Sequence, residues 1–247
     1  MTKFEIVSDL HLDHFQGSGD KGLEFLENLF KNPHAPNLLI AGDLGFQNDF
    51  YTSYFFTLVK RKYEKIVCVL GNHDYWNYSL NAPKIWKQRY QKDNIFILEK
   101  ESLLIENVNI FGTTLWSKLD PLNVPAICSM VKDFKFIEEF SDYQNYCKAY
   151  EESLTALKRF FTKPCLIITH HSPIFLNNRY KNSILESAFC SSLENLVLES
   201  NIKAWIFGHV HEKVDTFIGK THLVNNSFGY FWQNKVTNFK LKEIEIW

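Results

Sequence analysis

Five apolar stretches of this 247-residue chain end in the same kind of chemistry. They read I-V-S-Asp9-L-His11, L-I-A-G-Asp43, V-L-G-Asn72-His73-Asp74, I-I-T-His170-His171 and I-F-G-His209-V-His211, and six of the chain's nine histidines fall inside them. Scattered structural histidines would not gather at the carboxyl ends of strands, which in open α/β sheets is where ligands bind. Side chains at i and i+2 of an extended segment point the same way, so Asp9 with His11, and His209 with His211, are expected to act as pincers on one side of a sheet. Carboxylate, amide and imidazole donors without sulfur suit Mn, Fe or Zn rather than a thiolate centre. The donors are too many for one open tetrahedral ion and enough for two. Gly71, Asn72 and Asp74 equally suit a plain turn followed by a helix cap.

The elements that must hold these residues follow from periodicity. Strand patterns at 3–7, 37–41 and 65–70 alternate with helix patterns at 20–31, 49–63 and 79–91, which is βαβ order and implies a largely parallel sheet. Residues 94–116 switch to short strands (N-I-F-I-L, S-L-L-I-E, V-N-I-F-G), as hairpins would give. A long helix over 142–162 leads into C-L-I-I-T, and a helix over 187–200 precedes K-A-W-I-F, K-V-D-T-F-I, T-H-L-V-N and V-T-N-F-K-L-K-E-I-E-I. The least regular stretch is 113–141, where Pro121 and Pro125 bracket a loop. No repeat or linker marks a boundary, so one domain over 1–247 is expected.

Composition narrows the function classes. With 45% hydrophobic residues, 22% charged and a net charge of −1, the chain is neither disordered nor basic enough for non-specific nucleic-acid binding. Its 22 Phe imply a Phe-rich core. Five dispersed cysteines without a C-x-x-C pair fit neither a disulfide framework nor a thiolate site, and a reducing cytosol suits them. The first strand signal, F-E-I-V, begins at residue 4 with no basic and apolar leader ahead of it, and no run approaches the ~18 apolar residues of a membrane span, so a cytoplasmic location is expected.

The ordered set D-x-H, G-D, G-N-H-[ED], H, G-H-x-H resembles the calcineurin-like metallophosphoesterase superfamily, and every element stands here in order from Asp9 to His211. The resemblance implies a sandwich of two β-sheets flanked by helices, with a dinuclear site at the strand ends. One divalent ion would be held by Asp9, His11 and His211, the other by Asn72, His170 and His209, with Asp43 bridging. It also implies hydrolysis of a phosphate ester by attack of a metal-bound hydroxide, with both ions stabilising an in-line displacement. His73 would contact the phosphate or protonate the leaving group, and Asp74 would orient its ring.

The substrate expected is a small phosphate ester or nucleotide, more a diester than a monoester. Serine/threonine protein phosphatases of the superfamily carry arginines after the G-D and G-N-H-E motifs. Here Asp43 is followed by Leu44-Gly45-Phe46 and Asp74 by Tyr75-Trp76. A nuclease of the same fold is disfavoured by the charge balance. A non-catalytic binding module, such as the retromer subunit of this fold, would have a degraded motif set rather than a complete one. G-T-T-L-W at 112–116, His171-Ser172-Pro173 and Asn225 to Tyr230 resemble small, mostly bacterial members of unassigned substrate. In those members the last motif usually reads N-P-R-G-Y, so Ser227 and Phe228 depart from it, and Arg179 is the expected replacement for the missing arginine. A substrate pocket is expected under 113–141 and 172–186, using Trp116, Lys132, Phe134, Arg179 and Tyr180, with His171 at its wall and His14 on the surface.

Overall fold

The computed structural model describes the chain apart from residues 17, 47–48, 161–164, 177–178, 200 and 232–237. The first half is β1 (Thr2–Val7), α1 (Asp20–Leu29), β2 (Asn37–Ala41), α2 (Phe50–Lys60), β3 (Lys65–Val69), α3 (Ala82–Tyr90) and β4 (Ile95–Leu98). A hairpin of β5 (Glu101–Ile105) and β6 (Val108–Thr113) follows, then α4 (Val124–Met130), α5 (Asp133–Phe136), α6 (Tyr143–Phe160) and β7 (Cys165–Thr169). The remainder is α7 (Glu186–Phe189), α8 (Glu194–Glu199), β8 (Ile202–Phe207), β9 (Val214–Ile218), β10 (Thr221–Asn225) and β11 (Lys242–Ile246).

The strands form two sheets, ordered β11-β1-β2-β3-β4 and β5-β6-β7-β8-β10-β9. Strands β1 to β4 pair in parallel, with β11 antiparallel at the edge of β1. In the second sheet β6, β7, β8 and β10 are parallel, and β5 and β9 run antiparallel at its two edges. The two sheets face each other through one alternating set, Phe4 and Ile6, Leu39 and Ala41, Val67 and Val69, Leu166 and Ile168, Ala204 and Ile206. The intervening residues, among them Leu38, Ile40, Ile66, Cys68, Ile167, Trp205 and Phe207, pack under the helices. Burial on both faces explains why these strands read as continuous apolar runs. Among the described residues no helix is long and apolar enough to cross a membrane.

The structure departs from the sequence expectations in four places. Ile95–Leu98, expected in a hairpin, is β4 and pairs in parallel with β3 at the edge of the first sheet. The helix expected over 187–200 is two, α7 and α8, because the backbone between them leaves the helix to pair with the loop after β7: Ser172 N–H donates to Phe189 O at 3.4 Å and Ser191 N–H to Ser172 O at 3.0 Å. Residues 113–141 hold α4, α5 and a short 3₁₀ turn at Glu138–Ser141, and Pro125 lies in the first turn of α4, where its missing N–H removes no helix bond. The last strand begins only at Lys242. Residues 236–237 of that expected strand lie outside the described residues, and Phe239 and Leu241 pack against the core instead.

Candidate metal centre

The strand-end residues converge through an unusual backbone. Asp9, His11, Asp43, His209 and His211 have φ of 55°, 45°, 51°, 69° and 51°, all in the left-handed region. The pincers are therefore not the extended i, i+2 pairs expected from periodicity: β1 and β8 stop at Val7 and Phe207 before either pair begins. Asp and His are among the few non-glycine types that tolerate this region, at a cost of roughly 1–2 kcal/mol per residue. Hydrogen bonds between loops hold the turns, with Asp9 N–H on Gly42 O and His11 N–H on Asp43 O, both at 3.0 Å, and Gly208 N–H on His170 O at 2.9 Å. A Cβ at Gly71 would lie 2.1 Å from Asp43 Oδ1, and one at Gly208 would lie 2.6 Å from Asp9 Oδ2. Two carboxylates thus sit against backbone that only glycine leaves open.

Seven expected donors meet here. Donor atoms of Asp9, His11, Asp43 and His211 lie within 4.8 Å of one another, as do those of Asp43, His170 and His209, so Asp43 belongs to both sets. His11 Nε2 and His211 Nε2 are 3.0 Å apart, and His170 Nε2 lies 3.2 Å from His209 Nδ1 and 3.0 Å from Asn72 Oδ1. Asp43 Oδ2 is 3.6 Å from His11 Nε2 and 3.4 Å from His170 Nε2, and Asp9 Oδ1 is 3.4 Å from His211 Nε2.

The donor set fits divalent cations. His170 Nδ1 lies 2.9 Å from Ala41 O, which accepts its proton, while Asn72 turns its NH2 to Asp133 Oδ1 at 2.8 Å. His170 Nε2 then faces the Asn72 Oδ1 acceptor at 3.0 Å, a contact that needs positive charge on the nitrogen or beside it, from a proton on Nε2 or from a cation. The titration state points the same way. Burial opposes charge on Asp9 and Asp43, yet their histidine neighbours hold both below the usual carboxylate range. Burial pushes His11 and His209 well down, and it also opposes charge on His170, whose pKa Asp43 nevertheless lifts to about 9, a proton standing where a cation would.

Around the donors, the structure redistributes several expected roles. The ring of His73 stacks on Trp76 at 3.5 Å and 26°, and burial takes its pKa down to about 4. Asp74 does not orient that ring; its two oxygens accept from Gly45 N–H at 3.0 Å and Gly71 N–H at 2.8 Å, tying together the loops that carry Asp43 and Asn72. His171 is fully buried, 4.1 Å from the His209 ring, with its pKa lowered to about 3 by burial. Trp116, expected to stack on substrate, is 2% exposed and packs against Tyr75, Phe140 and Tyr146, and Phe134 joins the same cluster. Tyr180 reaches the site indirectly, stacking on Phe189, which stacks on His209, and the exposed Arg179 lies over the Tyr180 ring at 4.8 Å. Lys132 lies 5.6 Å from the Trp76 ring, and His14 sits half-buried at the rim, 6.1 Å from the His11 ring.

Three contributors escaped sequence reasoning. Ser227 Oγ donates to Asp9 Oδ2 at 2.7 Å, Tyr230 stacks on His11 at 4.4 Å, and Asp133 accepts from both Asn72 and Trp76. The first two lie in the N-N-S-F-G-Y motif, where the departure at Ser227 was an available signal and Tyr230 keeps the usual pattern. Asp133 had none. A cavity of about 480 Å³ is lined by Gln16, Phe46, Phe50, Trp76, Asn77 and Tyr78 among others, and Trp76 joins its wall to the His73 ring.

The chain is 28% identical over 260 aligned positions to an uncharacterised protein of Acanthamoeba polyphaga mimivirus, covering 93% of this chain and 92% of that one. It is 25% identical over 218 positions, 85% of this chain and 75% of the other, to a Coxiella burnetii protein named a probable cyclic nucleotide phosphodiesterase. The phosphopantetheinyl hydrolase of Mycobacterium tuberculosis shares the fold with a TM-score of 0.77 at 18% identity, over 98% of this chain and 95% of that chain. A family model for calcineurin-like phosphoesterase matches residues 2–213, a span that contains all seven converging donors, and the chain belongs to that family of metallophosphoesterase hydrolases.

Proposed function

We propose that this chain is a dinuclear metal-dependent phosphoesterase acting on small phosphodiesters. The observation that carries the reading is Asp43, one buried carboxylate common to two donor sets. Asp9, His11 and His211 form one site and Asn72, His170 and His209 the other, with Asp43 between them. Loops from both sheets contribute, which favours reading residues 1–247 as one catalytic domain.

The chemistry that two Mn, Fe or Zn ions supply in such a set is Lewis acidity toward phosphoryl oxygens and a water acidic enough to attack near neutral pH. The chain's own groups do the rest. Burial keeps the His73 ring neutral in the free protein, and Trp76 holds it flat at the edge of the cluster. A phosphate anion beside it favours the protonated ring, which then hydrogen-bonds the phosphoryl group or gives its proton to the leaving oxygen. The motif loops lack the arginines that grip a dianionic monoester, which favours a singly charged diester, as does the name of the Coxiella relative.

The test is reconstitution of chelated protein with Mn followed by elemental analysis and comparison of bis-p-nitrophenyl phosphate with p-nitrophenyl phosphate. Two ions per chain and a higher kcat/KM for the diester support the reading. Saturation at one ion overturns the dinuclear assignment, and a monoester preference overturns the substrate class.

A further inference from the structure

Asp133 lies 61 residues from Asn72 in sequence and is 2% exposed, at the start of α5. Its Oδ1 accepts two hydrogen bonds, from Asn72 Nδ2 at 2.8 Å and from Trp76 Nε1 at 2.7 Å. An ionised carboxylate only accepts, so it discriminates between the two orientations of the Asn72 amide. In the observed one, NH2 meets Asp133 and Oδ1 faces His170 and the metal cluster. In the flipped one, Asn72 oxygen would oppose Asp133 oxygen while two N–H donors pointed at a cation. The same Oδ1 anchors Trp76, and Trp76 carries the His73 ring on its face at 3.5 Å.

We infer that Asp133 is a positioning residue: it locks the Asn72 amide with its oxygen toward the second metal site and holds the indole that supports His73. The short segment 132–136 is then part of the catalytic architecture. This inference rests on the two-site reading proposed above. The role is selective, since Asp133 touches one donor of the second set and none of Asp9, His11 or His211. Partners of this kind change metal affinity by roughly 10- to 100-fold when removed.

The experiment is calorimetric titration of chelated full-length protein with Mn²⁺, comparing wild type with Asp133→Ala, Asp133→Asn, Asn72→Ala and the Asn72→Ala/Asp133→Ala double variant. Asp133→Ala is expected to weaken one of the two ions by about 10- to 100-fold and leave the other unchanged. Asp133→Asn keeps an acceptor oxygen for both N–H groups and should recover most of that loss. The double variant should bind no more weakly than Asn72→Ala, because Asp133 acts through Asn72. If Asp133→Ala does not fold by circular dichroism, Asp133→Leu fills the space without an acceptor and must show the same selective loss. Unchanged binding in the Ala or Leu variant, equal weakening of both ions, or additive losses in the double variant would overturn the inference. Wild-type protein that saturates at one ion would instead overturn the dinuclear reading, and this inference with it.

Discussion

Gly71→Ala tests whether the shared carboxylate is as tightly seated as the geometry implies. The new methyl would stand 2.1 Å from Asp43 Oδ1, 2.4 Å from Asp43 N and 2.7 Å from Asp43 Cγ. Because backbone is struck as well as side chain, rotating the carboxylate does not relieve the overlap, and one of the two loops must shift by roughly 1 Å to restore an ordinary contact. Overpacking of this kind costs about 1–3 kcal/mol, with the upper end expected where backbone must move. The functional loss is larger, since metal–ligand distances tolerate only about ±0.2 Å and a misplacement near 1 Å costs on the order of 10²-fold in rate. Both ions should be weakened together, because Asp43 serves both sets. Equilibrium dialysis with elemental analysis measures the metal, circular dichroism checks the fold, and hydrolysis of bis-p-nitrophenyl phosphate measures the rate. A folded Gly71→Ala protein that keeps two ions and wild-type turnover would refute the argument that Asp43 is fixed against this backbone.

Asn72→Ala should weaken one metal ion, whereas His73→Ala should keep both and lower kcat by about 10² to 10⁴; equal metal loss in the two variants would show that His73 is itself a ligand. For the metal-free protein, His73 and His171 are buried neutral with folded values near 4 and 3 against 6.5 unfolded, so their contribution is complete above 6.5 and is lost as pH falls toward 4 and 3. His170, raised to about 9, acts oppositely, stabilising fully below 6.5 and losing its contribution as pH rises through 9. In urea unfolding with chelator, a His73→Gln variant should therefore lose about 2 kcal/mol less stability than wild type between pH 7 and pH 5, and an identical pH dependence would contradict it. Trp116→Ala should cost about 3–5 kcal/mol in urea unfolding as a core deletion; unchanged stability with a raised KM would return Trp116 to the substrate pocket.

The βαβ half was legible because strands buried on both faces cannot avoid reading as apolar runs, as N-L-L-I-A in β2 does with every residue buried. The donors were legible for a related reason: each sits within four residues of such a run, so finding the strand finds the site. The rest depended on information that spacing does not carry. Nothing in Asp9-L-His11 separates an extended pair from two left-handed residues. Trp116 has the composition of a stacking platform and of a core side chain alike, and only its neighbours Phe140 and Tyr146 decide between them. The break between α7 and α8 arises from pairing with the loop after β7, a contact between segments far apart in sequence. Asp133 is an ordinary acidic residue in a proline-interrupted stretch until the fold sets it against Asn72.

Five left-handed ligand residues, two buried carboxylates and four buried or nearly buried imidazoles form a costly arrangement before any cation arrives. Strain of this sort persists only where surrounding structure over-determines it. Here the determination is visible atom by atom. Asp9 accepts from His209 N–H at 3.0 Å and from Ser227 Oγ, Asp43 accepts from His73 N–H at 2.9 Å, and Asn72 is held by Asp133. Each carboxylate is therefore fixed by a backbone amide of a neighbouring motif rather than by its own loop, which makes the five loops one cooperative unit. The His73 N–H bond also ties the residue next to Asn72 to the shared carboxylate, so the His73 ring and the Asn72 oxygen are set by the same contact. A site built this way has its geometry in place before catalysis, and rate enhancement through preorganised electrostatics requires that property.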